Sequence, residues 1–97
     1  MTPDAFHLTL SRAAAPRELA APLAALWWVK KGDWDKAHRL VMDDASPEAA
    51  WVHAYLHRVE GDIGNAHYWY AQARRQPADG DLDAEWNAIV AALLARV

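Results

Sequence analysis

Ninety-seven residues make one domain, long enough for a single hydrophobic core and above the length at which disulfides or metals become necessary for folding. Apolar residues at 54% and charged residues at 24% describe a folded globule, not a disordered chain. A net charge of −3, with basic residues scattered in pairs such as Lys30-Lys31 and Arg74-Arg75, excludes the field that holds a nucleic acid. The lack of cysteine excludes thiol chemistry and fits a reducing cytoplasm.

In chain order, Thr2-Pro3-Asp4 has the form of an N-cap followed by proline at the first helical position, and a short helix is expected from Pro3 to Ser11. Ala13-Ala14-Ala15-Pro16 breaks the chain, since proline disfavours the α region for the residue before it. A helix is expected from Pro16 to Lys31, with Pro22 either kinking it or marking its true start. Its apolar run, Leu19 to Val29, is too short to span a bilayer, and Glu18 just before it departs from a signal sequence. Gly32 supplies the left-handed position that ends this helix, and Asp33 caps the next, Trp34 to Met42.

Ser46-Pro47-Glu48 is the clearest helix start: serine caps, proline takes the first turn and glutamate meets the positive end of the dipole. At 100° per residue, Trp51, Val52, Tyr55, Leu56 and Val59 fall within an arc of about 140°, and His53, His57 and Glu60 cluster within about 60° on the other side. The helix Pro47 to Glu60 should therefore carry a core stripe and a separate polar face. Gly61-Asp62 ends it and caps a helix from Ile63 to Gln76, with Ile63, Ala66, Trp69, Tyr70 and Ala73 inward. Asp81 caps a last helix whose stripe is Leu82, Trp86, Ile89, Val90, Leu93 and Val97.

Two segments repeat. GDWDKAH, from Gly32 to His38, aligns with GDIGNAH, from Gly61 to His67, at an offset of 29 residues, with Gly, Asp, Ala and His coincident. A helix, a Gly-Asp corner and a second helix whose early alanine permits close approach form one unit used twice. This pattern resembles the tetratricopeptide repeat, whose second helix often begins G-D-aromatic-x-x-A and reaches an aromatic four residues after that alanine. Ala37 with Val41, and Ala66 with Tyr70, occupy those places, and Ala73 fits the later small residue. The likeness runs from about Leu23 to Pro77, with a 29-residue period in place of 34 and with His57 where an aromatic is usual. The string from Trp51 to Tyr70 is also similar to a signature of small bacterial and fungal proteins, a likeness that implies no activity.

The resemblance implies an all-α domain over residues 1–97: two tetratricopeptide-like helix hairpins, repeated over about 23–45 and 52–77. An N-terminal segment and a capping helix over 81–96 complete it, giving four to five helices. It further implies a non-enzymatic protein-interaction module that binds a protein partner or a second copy of itself.

His53 and His57, four apart on one helix, have the spacing of two imidazoles that share a metal, with Glu60 one turn on. The remaining candidate ligand is His67 on the facing helix. The glutamate base of zinc hydrolases is missing between them, and imidazoles hydrogen-bonded to a neighbouring helix are the commoner use, so neither metal nor cofactor is expected. His57, Arg58, Glu60, Asp62, Asn65 and Tyr68 bracket the corner, either to lock the hairpin or to receive a small polar ligand. The positions particular to this copy, and so the candidates for a ligand or partner, are His53, His57, Arg58, Glu60, Asn65 and Tyr68. Asp79, Asp81, Asp83 and Glu85 have the spacing of a calcium loop, but Ala84 stands where glycine is required and Val90 where the closing glutamate belongs. Ser11 and Ser46, in a terminal segment and a cap, offer no nucleophile–base pair.

Overall fold

The computed structural model describes residues 1–96 and is all-helical over them: α1 (Pro3–Thr9), α2 (Ala21–Lys30), α3 (Trp34–Val41), α4 (Pro47–Val59), α5 (Ile63–Ala73) and α6 (Leu82–Leu94). Six helices form where four to five were expected. The N-terminal segment forms the short helix expected from Pro3, ending at Thr9 instead of Ser11, capped by Thr2 and anchored by buried Phe6 and Thr9. Val97, the end of the expected α6 stripe, lies outside the described residues.

The caps act as their sequence demands. Asp33, Ser46, Asp62 and Asp81 each accept a hydrogen bond from the backbone N–H three residues on, which satisfies one of the amides that a helix start leaves open. Two boundaries move by three residues or more. The second helix starts at Ala21, because Pro16 to Leu19 close a turn of their own and Pro22 sits in the first turn. The fifth ends at Ala73, where Arg74 takes the left-handed conformation at φ 58°, three residues short of Gln76.

Hairpins α2–α3 and α4–α5 turn on the same corner. Gly32 has φ 92° and Gly61 φ 86°. The N–H groups of Gly32 and Asp33 return to the carbonyls of Val29 and Trp28, and those of Gly61 and Asp62 to Arg58 and His57. Each position in one corner is the other's shifted by 29, so the sequence repeat is a repeat of hydrogen bonds. Ala37 and Ala66 are buried at the corresponding close approaches.

In the row of helices α4 is central. It packs against α5 on one side and α3 on the other, with α2 and α6 also against it. Nine consecutive residues, Ala49 to His57, are buried, so the expected polar face carrying His53 and His57 is interior as well. The closing helix α6 covers a face, not the end of the row. It lies against α2 and α4, the first helices of both hairpins, and against α1. Trp86 is fully buried there and its Nε1 donates to the carbonyl of Leu26 at 2.9 Å. Trp27 Nε1 donates to Thr9 Oγ1 at 3.1 Å, so the two most deeply buried indoles are both satisfied. Helix α5 keeps an open outer side, where Ile63, Tyr68, Asn65 and His67 are exposed. No helix of the described residues is long and apolar enough to cross a membrane.

Candidate functional site

The seam between α3 and α4 gathers three imidazoles. His38 arrives from α3, while His53 and His57 occupy successive turns of α4. His38 Nε2 and His53 Nε2 stand 3.0 Å apart, which makes one the donor and the other the acceptor. The ring of His57 stacks on that of His53 with centroids 4.8 Å apart, and its Nδ1 pairs with the Glu60 carboxylate at 2.6 Å. Two indoles close the cluster: Trp34 lies flat on His38 at 4.8 Å and Trp69, from α5, flat on His53 at 4.0 Å. Trp34 is fixed in turn by its Nε1, which donates to the Leu56 carbonyl at 2.7 Å.

Burial sets the charge of His53 and His38. His53, 4% exposed, is pushed down to about 4, first by loss of water and then by the neighbouring His38 and His57. Burial and His57 also lower His38, against the pull of Glu60 and Asp35. At neutral pH, His38 and His53 are held neutral, each with an unprotonated nitrogen. His53 Nδ1 is buried and has no hydrogen-bond partner.

The third imidazole is thus His38 and not His67. The offset of 29 makes those two residues equivalent, but α3 faces α4 across the seam, whereas His67 on α5 is exposed. A sequence signal for His38 did exist, since Trp34 and His38 are four apart and an aromatic so placed stacks on the imidazole. Of the remaining candidates, Arg58 turns away from the cluster. It donates to Glu85 at 2.8 Å and also to the carbonyl of Gly80, while the Tyr70 hydroxyl donates to the other oxygen of Glu85. This network ties α4 and α5 to α6 and raises the Tyr70 hydroxyl pKa, through burial and then the Glu85 bond. Asn65 is exposed, and its backbone N–H is the one that Asp62 caps.

Tyr68 belongs to a second place. Together with Trp69, Met42, Ala45, Ala50 and Gln72 it lines a groove of about 300 Å³ whose remaining wall is Asp43 and Asp44. Tyr68 is 56% exposed and meets Trp69 edge-on at 89°. Two indoles outside this groove carry a cation of this chain: Lys36 sits 4.1 Å from the centroid of half-buried Trp28 and Arg75 3.5 Å from that of buried Trp51. Neither Trp51 nor Tyr55 opens onto a groove of aromatics, as both are buried.

Three of the four acidic residues near the α5–α6 turn are occupied as caps and pairs. Asp81 caps α6, Asp83 pairs with Lys30 at 3.0 Å and Glu85 holds Arg58 and Tyr70. Fold and site together define a helical-hairpin protein with a histidine cluster enclosed by tryptophan. Compared with protein-family models, curated proteins and solved structures, the chain has no match.

Proposed function

We propose that this chain is a non-enzymatic protein-interaction module of tetratricopeptide-like type, working in the cytoplasm, and that its partner docks on the outer α3–α5 side. The observation that carries this reading is the Tyr68–Trp69 groove with its Asp43 and Asp44 wall. Helix α6 already covers the first helices of both hairpins, which leaves the opposite side for a partner. Electron-rich ring faces beside carboxylates suit a lysine or arginine, and this chain sets four of its own cations over indoles in the same way. A binding role also suits the serines, both spent locally: Ser46 Oγ accepts from Ala49 N–H and Ser11 Oγ donates to the Leu8 carbonyl.

Fluorescence titration with lysine- and arginine-rich peptides tests the reading. Binding should weaken with salt, fall about tenfold in Tyr68→Ala, and fall again when Asp43 and Asp44 become asparagine. Peptide binding indifferent to Tyr68→Ala, or no binding to the intact chain, would overturn it.

A further inference from the structure

The histidine cluster has a use apart from that groove. We infer that His38, His53 and His57 form a site for one divalent late transition ion of the zinc type, bridging the two hairpins, with Glu60 orienting His57 from behind.

The three residues present one ring nitrogen each, all within 4.8 Å of one another. Two ligands on a tetrahedral zinc, at about 2.0–2.1 Å from the metal, stand about 3.3 Å apart. The His38–His53 pair, at 3.0 Å, is close to that spacing already. Glu60 on His57 Nδ1 is the arrangement in which a carboxylate fixes the ring of a metal ligand and raises its basicity, leaving Nε2 as the nitrogen to give. Imidazole without thiolate selects zinc, copper, nickel or cobalt over the hard cations, which prefer oxygen.

Packing alone does not account for the cluster. The hydrogen bonds of the cluster do not close on themselves: His53 Nδ1 is buried without a partner, while His53 Nε2, the nitrogen offered to the ion, spends its one bond on another imidazole. The repeat supplies an internal comparison. Shifted by 29 residues, His53 and His57 correspond to Ala24 and Trp28 in the first hairpin, and Glu60 to Lys31. The same corner therefore forms without imidazoles on its first helix, and His53 and His57 are an addition at the seam where α4 of the second hairpin meets α3 of the first, with its His38.

Calorimetric titration of the chelator-treated full chain with zinc chloride at pH 7.5 tests the site. The expected result is one ion per chain with a dissociation constant at or below the micromolar range. His38→Gln should weaken it by about tenfold or more and Glu60→Gln by about 10–100-fold, while His67→Gln, the repeat-equivalent position outside the cluster, should leave it unchanged. A second readout is built in, because Trp34 and Trp69 stack on His38 and His53. Copper(II) should quench their fluorescence at one equivalent in the parent chain, and less in His38→Gln. A folded parent chain that gives neither heat nor quenching would end the proposal. Several weak ions per chain, or a loss in His67→Gln equal to that in His38→Gln, would end it as well.

Discussion

His53 shows how far one side chain can depart from its ordinary chemistry. Above pH 6.5 it is neutral in the folded and the unfolded chain alike. As pH falls from 6.5 towards 4 the unfolded chain takes up a proton that the buried ring refuses, so stability drops through that window and levels off below it. The drop from this residue is about 3 kcal/mol in the metal-free protein, and His38, lowered in the same direction, adds to it. Urea unfolding at pH 7 and pH 4.5, with chelator present, should show the midpoint falling, and His53→Leu should flatten the dependence. Equal midpoints for the parent chain would mean that the ring is not held neutral. The sequence pointed to His53 and His57 through their spacing but misjudged their surroundings. A helical wheel sees one helix, and it cannot show that α4 is enclosed by neighbours on both of its faces. For the same reason His67 was expected where His38 stands, as the direction of approach of α3 is a tertiary fact.

The Gly-Asp corner is the most legible feature at the scale of elements. Positive φ at Gly32 and Gly61, the aspartate caps after them and the alanines of close approach are local requirements, and local requirements leave residues of fixed type at fixed spacing. The corners also make a paired prediction. Nothing stands within 4 Å of a Cβ placed on either glycine, so Gly32→Ala and Gly61→Ala should each cost only the backbone strain of a left-handed alanine, about 1 kcal/mol. Denaturant midpoints should fall by like amounts in both, and a much larger loss in one would mean that the corners are not equivalent. Boundaries were less legible where two signals competed. Pro16 and Pro22 each fit a helix start, and the choice fell to the one whose following residues, Leu23, Leu26 and Trp27, reach the core.

For the whole molecule, the expectation of an all-helical chain is matched, and the helices pack into a body of 33 × 26 × 25 Å. Where the last helix would lie was not readable, because its stripe of Trp86, Ile89, Val90 and Leu93 fits any apolar face. Its place against α2 and α4 decides which surface is left. If a cationic partner is the true occupant of the Tyr68 groove, the isolated chain should scatter light as a 10.8 kDa monomer at micromolar concentration. A dimer that Tyr68→Ala dissolves would assign the groove to a second copy instead.

The position of α6 also orders events in time. Trp86 reaches back 60 residues to the Leu26 carbonyl, and Asn87 reaches back 80 residues to His7. During synthesis both hairpins can turn their corners from local contacts, but the surfaces of α2 and α4 stay bare until residues 82–94 have left the ribosome. Long-range closures of this kind slow folding, since the intervening loop must be ordered before any contact rewards it. The nascent chain therefore carries the α6-facing surfaces of α2 and α4 uncovered from the time each is made until α6 arrives, which makes that interval the one in which a chaperone has something to hold.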